Sequence, residues 1–489
     1  MLDHAADDLS LGHIAGSHAS LNDLCPVDDD SSPMGTSAPA PGRSSRGARR
    51  TARPQVGLHT DPPMSEQSEL SCKPVPARRA LAMSAVALLL ASVAVYAFVA
   101  FPVYAHDAQK YFGISEGRLG LLLSSGAIGS LFSLLLVGPA TDRLGARVML
   151  QCCLAGTGLA FLVAGIGRSL LVFQIGLILA GFFGAAKAVS LPTFLICLYP
   201  EFRRRMVTIS LISLAVPGIA LPIVAERLLV MAQAGTMEFA TVLHGPFLVG
   251  GALLLVGQFL LSFAGQAGEE DEAAAEAEDR PEFSLRSVLT VPALLIILMA
   301  TLHAGADNAI YGWLPKFLQS EWETLPIGTG VMLGLYSAAY AVSRLGLAAL
   351  PEGWGQRAFL VLPGPVGGLL IIAAIWTGGP LMVALAYPLA ALFISVEYPT
   401  LLAEIRETSP ARFSAIYGAS IWTTSLLTIL NVNLIGQVGQ RTGDLRVGLT
   451  IAALGFIAFG VIAYFTGLGS DGIVAGDEAP GAEQAVEST

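Results

Sequence analysis

Three side chains able to exchange protons or hydrogen bonds recur at four-residue intervals in "HAGADNAIYGW" (303–313), namely His303, Asp307 and Tyr311. On a helix that spacing puts them on one face. An imidazole beside a carboxylate can take up and release a proton near neutral pH. Asn308 adds an amide that both donates and accepts. Two further ionisable groups stand in apolar stretches: Lys187 in "GFFGAAKAVSLP" (181–192) and Glu397 in "ISVEYPTLL" (394–402), with Tyr398 beside it. One lysine and two acids suit a neutral polar or zwitterionic solute, with Asp307 or Glu397 as a proton-coupling carboxylate. Lys187 itself has three readings. It binds an anionic group of the solute, it pairs with Asp307 or Glu397 in one conformation and releases it in another, or it is a static structural charge or one that reaches out to a membrane surface. Tyr311, Trp313, Asn308 and Tyr398 offer hydrogen bonds and stacking, although each taken singly is an ordinary packing residue.

No metal-ligand spacing, nucleophile–base grouping or nucleotide loop accompanies these residues, so no enzymatic activity, metal or cofactor is expected. The five cysteines show neither metal spacing nor a disulfide framework. Glycine runs such as "GTGVMLG" (328–334) lie in apolar stretches and read as helix-packing glycines, not as phosphate cradles.

The elements that must position these groups are membrane helices. The 489 residues are 54% hydrophobic and only 13% charged, with a mean hydropathy of +0.65. A soluble chain would carry about a quarter charged residues. Apolar segments long enough to cross about 30 Å of hydrocarbon are expected near 81–105, 118–140, 147–166, 170–196, 207–228 and 243–265. A second six are expected near 289–312, 327–349, 357–376, 380–402, 412–437 and 446–467. A charge at the centre of such a helix costs about 2.5–3.5 kcal/mol on insertion scales, so it should face a protein-lined or wet interior. Lys187, Asp307 with His303, and Glu397 fall in spans 4, 7 and 10, and His106 with Asp107 ends span 1. That register, every third helix, is what four equivalent three-helix units would give if each showed its first helix to one cavity. Glu226, Arg227 and Arg344 sit near helix ends, where snorkelling is cheap.

The fold class is therefore an all-α integral membrane protein, with twelve transmembrane helices in two six-helix pseudo-symmetric halves. Residues 1–78 read as a disordered cytoplasmic tail, 79–265 as the first bundle and 266–286 as an acidic cytoplasmic linker. Residues 287–468 form the second bundle and 469–489 a disordered acidic tail. Met64 opens a stretch that would itself serve as a start. Basic residues concentrate on the side of the termini, at Arg143, Arg147, "EFRRR" (201–205), Arg357 and Arg406, with fewer opposite, chiefly Lys110, Arg168, Lys316 and Arg441. That bias places both termini in the cytoplasm of a multi-pass plasma (inner) membrane protein. The expected partners are a small solute, a proton and the bilayer. The chain is expected to be a monomer, and the net charge of −10, carried mainly by tails and linker, gives no support to a nucleic-acid role.

"GPATDRLGARVML" (138–150), between spans 2 and 3, resembles the Gly-x-x-x-Asp-Arg-x-Gly-x-Arg signature of the major facilitator superfamily, matched by Gly138, Asp142, Arg143, Gly145 and Arg147. The resemblance covers residues 80 to 467 and implies that these five residues form a conformational latch. Finer likeness points to the fucose-permease-like branch of sugar–proton symporters. "GAAKAVSLP" (184–192) is similar to its Gly-x-x-Glu-x-x-x-Asn-Pro segment, with Lys187 where the branch carries a buried carboxylate. "HAGADNAIYGW" is similar to its seventh-span turn, which puts Asp307 at a solute-contacting position, and "EYPTLL" (397–402) to its Phe-Pro-Thr motif. The resemblance implies a secondary active transporter that moves a small polar solute, sugar-like or another small metabolite, by alternating access with proton-coupled uptake. Transport of amino acids or organic anions, efflux of drugs or metabolites, and a transport-inactive sensor are the alternatives.

Overall fold

The computed structural model describes residues 77–199, 214–263, 290–322, 324–351, 355–408 and 413–468, with a few isolated positions between 200 and 213. The expected tails and linker lie outside these residues. Among the described residues twelve helices are long and apolar enough to span a bilayer. They are Arg78–Val99, Glu116–Leu134, Ala146–Ile166, Leu170–Ile196, Ala215–Gln233, Phe239–Phe259, Val291–Glu321, Thr329–Ala348, Gln356–Thr377, Pro380–Ile405, Ile416–Thr442 and Arg446–Thr466. They are numbered spans 1 to 12 below. The side of Arg78 and Thr466 is the terminal face and the opposite side the distal face.

The largest departure from expectation is span 7, which runs to Glu321 instead of ending near 312. Its last turns carry Lys316, Gln319 and Glu321, polar residues that hydropathy assigns to a loop. Each is held by a partner: Lys316 by Glu116, Gln319 by the Val103 carbonyl and Thr329, and Glu321 by Arg446. Lys316 is thus no loop residue; it is buried on the helix. Glu226 likewise does not snorkel. Its carboxylate accepts from the Val331 amide at 3.1 Å, capping the start of span 8 from another helix.

Within the first half, span 4 packs on spans 2 and 3, and span 3 on span 6; within the second, span 7 packs on spans 11 and 12, and span 10 on spans 8 and 9. Lipid offers no hydrophobic drive between helices, so close backbone approach must hold them together. Spans 2 and 4 meet at Gly129 and Gly181, where an added Cβ would lie 1.9 Å from the Ile178 carbonyl oxygen and 2.1 Å from that of Gly126. The halves join where span 5 meets 8, span 2 meets 11, and the continuation of span 1 (Phe101–Phe112) meets span 7. Several of the bonds across this seam lie toward the distal face. Lys316 Nζ sits 2.8 Å from Glu116 Oε1, the Gly117 amide 3.1 Å from the Gln440 side chain, and Gln319 Nε2 3.2 Å from the Val103 carbonyl.

Four of the described spans are interrupted, span 2 at Ser124 and span 9 at Leu362 by a single residue each, and spans 10 and 1 more widely. Span 10 breaks at Ser395–Val396, between Pro380–Ile394 and Glu397–Thr408. Pro399 has no N–H for the Ser395 carbonyl, and Arg344 Nε of span 8 donates to that oxygen at 3.5 Å. Span 1 breaks at Ala94–Val95 and again at Ala100. Pro102 accounts for the second interruption, but the first contains neither proline nor glycine.

Candidate functional site

Between the halves lies a cavity of about 300 Å³, walled by spans 1, 2, 4, 7 and 11. Its walls differ in chemistry. The first half contributes mainly Ala97, Phe98, Phe101, Leu122, Leu123 and Leu177, and only Ser130 adds a polar group. The second half contributes Asn308, Tyr311, Thr424, Ser425 and Thr428. Asn308 Nδ2 donates to Thr428 Oγ1 at 3.3 Å, and the Tyr311 hydroxyl donates to the Val99 carbonyl at 3.1 Å, tying span 7 to span 1. No lining residue carries a charge.

Asp307 lies one turn from Tyr311 and behind the polar wall. Its carboxylate accepts from the Tyr336 and Tyr340 hydroxyls, the second at 3.0 Å. Tyr336 stacks on the buried Tyr387 (centroids 4.4 Å apart, 13° between planes) and meets Tyr311 edge-on at 5.5 Å. The Arg344 guanidinium covers the outer ring, 4.7 Å from the Tyr340 centroid. An unbroken contact path therefore runs from the cavity through Tyr311 and Tyr336 to Asp307.

His303 and Asp307 share a helix face, as their spacing requires, yet His303 finds another acid. Its Nδ1 sits 2.7 Å from Glu397 Oε2, and both side chains are sealed from solvent. Glu397 Oε1 faces the Gly364 backbone without a well-formed hydrogen bond. Tyr398 stacks on the imidazole at 6.1 Å, and Phe456 and Phe459 close the other sides. Burial of an acid and an imidazole together is sustainable only because they are paired.

Lys187 joins neither acid. Its Nζ donates to the Ala91 carbonyl of span 1 at 3.1 Å, and among the described residues it has no carboxylate partner. Trp313 is fully buried, with its indole N–H on the Val432 carbonyl at 2.9 Å, so it packs and does not line the cavity. His106 and Asp107 are at the distal end, where Gln233 bonds Asp107 at 3.4 Å. Of the residues expected to form a latch, Gly145 has φ +77 at the start of span 3, a conformation that favours glycine, and Arg147 donates to the Leu261 carbonyl at 3.4 Å. Gly138 and the Asp142 and Arg143 side chains fall outside the described positions.

Sequence reasoning missed the tyrosines and the hydroxyl wall. "YSAAY" (336–340) repeats a tyrosine at helical spacing and "TTSLLT" (423–428) clusters hydroxyls; both were legible as polar helix faces, without a hint of which neighbours they meet.

A twelve-helix bundle in two halves around a central cavity is the architecture of a secondary transporter. The chain belongs to the Major Facilitator Superfamily, whose family model matches residues 83–427. The chain has no match among curated protein sequences. Among solved structures it is similar to the nucleoside transporter NupG, with a TM-score of 0.62, 14% identity, and coverage of 79% of this chain and 98% of that one. It is also similar to a D-xylose–proton symporter (TM-score 0.61, 14% identity, 78% and 97% covered). The Escherichia coli fucose:proton symporter FucP, the branch expected from sequence, is similar at TM-score 0.53 and 16% identity, with 79% and 98% covered. At these identities the likeness establishes the fold alone.

Proposed function

We propose that this superfamily member carries a small, neutral, hydroxyl-bearing solute, gripped by Asn308, Tyr311, Thr424, Ser425 and Thr428 and leaned on by Phe98 and Phe101. The observation that carries this reading is the uncharged cavity with its hydrogen-bonding groups on one side and apolar groups on the other. Neutral donors and acceptors recognise hydroxyls, whereas an ionic solute in this site would lack a counter-charge. A volume of about 300 Å³ lies at the small end of ligand pockets. The sugar and nucleoside transporters among the similar folds carry solutes of this kind.

The solute moves inward, driven by a proton. With the arginine-rich loops in the cytoplasm, the seam lies toward the outer side, and the cavity serves the inner one in this conformation. Asp307 and the His303–Glu397 pair stand behind the polar wall, and Asp307 is linked to it through Tyr311 and Tyr336. A proton exchanged at Asp307 alters the hydroxyl bonds that back the wall.

A thermal-shift panel tests the solute class. Uridine, D-xylose and phenyl β-glucoside should include a stabilising ligand, and L-lactate, L-glutamate and tetraphenylphosphonium should not. Asn308→Ala should abolish that stabilisation. Stabilisation by only the charged compounds would reject the reading. For coupling, Asp307→Asn with Glu397→Gln should end pH-gradient-driven accumulation in proteoliposomes while leaving solute binding in place.

A further inference from the structure

The first break in span 1 has a cause in span 4. In an unbroken helix the Ala91 carbonyl would accept from the Val95 amide; here it accepts from Lys187 Nζ at 3.1 Å, and the chain turns at Ala94–Val95. A side chain inserted into the backbone ladder is one of the few established causes of a sharp helix interruption. Beyond the break stands Phe98, whose ring lines the cavity. That ring fills space left by two glycines: a Cβ on Gly126 of span 2 would lie 2.2 Å from it, and one on Gly184 of span 4 would lie 3.2 Å from it. Gly184 and Lys187 are three residues apart, so one face of span 4 touches span 1 on both sides of its break.

We infer that Lys187 is a positioning residue for solute recognition: it holds span 1 open at Ala94–Val95, and Gly184 receives the Phe98 ring that this opening turns into the apolar wall. The inference rests on the proposed solute site, because it assigns Lys187 a role only through Phe98. It explains why a lysine stays in an apolar helix without an acid to pair with among the described residues. The bilayer interior supplies no water for a freed carbonyl, so the oxygen must have a protein donor. Remove the amine and the donor that helical geometry supplies to this oxygen is the Val95 N–H, whose capture re-forms the helix and turns everything beyond it, Phe98 included. A phenyl ring selects solutes that present a flat apolar face. The preferred solute therefore carries a ring face on one side and hydroxyls on the other, as a nucleoside or an aryl glycoside does, in preference to a bare pentose.

Two measurements on the full-length protein in detergent and proteoliposomes test this. In hydrogen–deuterium exchange, Lys187→Met should slow exchange in peptides covering 91–98 by about tenfold, the worth of one backbone hydrogen bond. Cys153→Ala, which alters a neighbour of Lys187, should leave these peptides unchanged. Unchanged or faster exchange in Lys187→Met, or the same change in Cys153→Ala, would overturn the inference whatever solute is carried. In transport of the neutral probes, Lys187→Met should raise KM for uridine or phenyl β-glucoside about tenfold with little change in kcat, and should not do so for D-xylose. In a Phe98→Ala background the same substitution should have no further effect, the signature of residues acting as a unit. Additive effects on a transported probe would show that Lys187 does not act through Phe98. If no neutral probe binds, the proposed solute class fails, while the exchange experiment still decides whether Lys187 opens span 1.

Discussion

Glu116→Ala should shift the protein toward the conformation with an open distal face. Glu116 of span 2 and Lys316 of span 7 belong to different halves and meet at 2.8 Å, with side chains 22% and 5% exposed. Exposed ion pairs contribute at most about 1 kcal/mol, and breaking a fully buried one costs about 3–5 kcal/mol. A pair with one buried and one partly exposed partner falls between, at about 2 kcal/mol. Opening the distal face hydrates Lys316 in either protein, so the loss falls on the closed conformation alone. At 1.4 kcal/mol per decade the ratio of open to closed should rise about 30-fold. Spin labels at Arg168 and Thr377, both exposed near the distal ends of opposite halves, would report it by double electron–electron resonance in a cysteine-free background. The long-distance population should grow in Glu116→Ala and fall back in the charge-swapped pair Glu116→Lys with Lys316→Glu. An unchanged distribution, or a swap no different from the single variant, would refute the assignment of this ion pair to the seam.

Three further outcomes follow from the same structure. Gly330→Ala should open the distal face in the same assay, because its Cβ would lie 2.1 Å from the Pro222 carbonyl oxygen across the contact of spans 5 and 8. Trp313→Phe should lower the melting temperature by the loss of one hydrogen bond, about 1 kcal/mol, while leaving solute KM unchanged. Burial, then Lys110 and Lys316, push the His106 imidazole below its usual range, with Asp107 opposing. The fold therefore favours the neutral ring. This contribution is present above the unfolded value near 6.5 and is lost as pH falls below it, so His106→Gln should flatten the decline of melting temperature between about pH 7 and 5.

Much of the architecture could be read from the chain because bilayer thickness imposes a length on every span. The polar end of span 7 escaped that rule: Lys316, Gln319 and Glu321 look like a loop until Glu116, Val103 and Arg446 are known to face them. The four-residue spacing put His303 and Asp307 on one face correctly, but spacing along a helix says nothing of the helix opposite. Glu397, 94 positions away, takes the histidine, and Tyr336 and Tyr340 take the aspartate. Lys187 stood out by type and burial. What it touches, a main-chain oxygen, has no side-chain signature and so could not be read from residue identities.

If the proposed solute site holds, the unequal walls of the cavity make the two halves unequal partners in motion. A solute bonded to Asn308 and the hydroxyls of span 11 travels as cargo fastened to the second half. The first half, offering chiefly apolar surface, slides over it as a shutter slides over a lens. Such a division places the drag of each transport cycle on making and breaking the bonds of one half, and leaves the other free to change shape around its load.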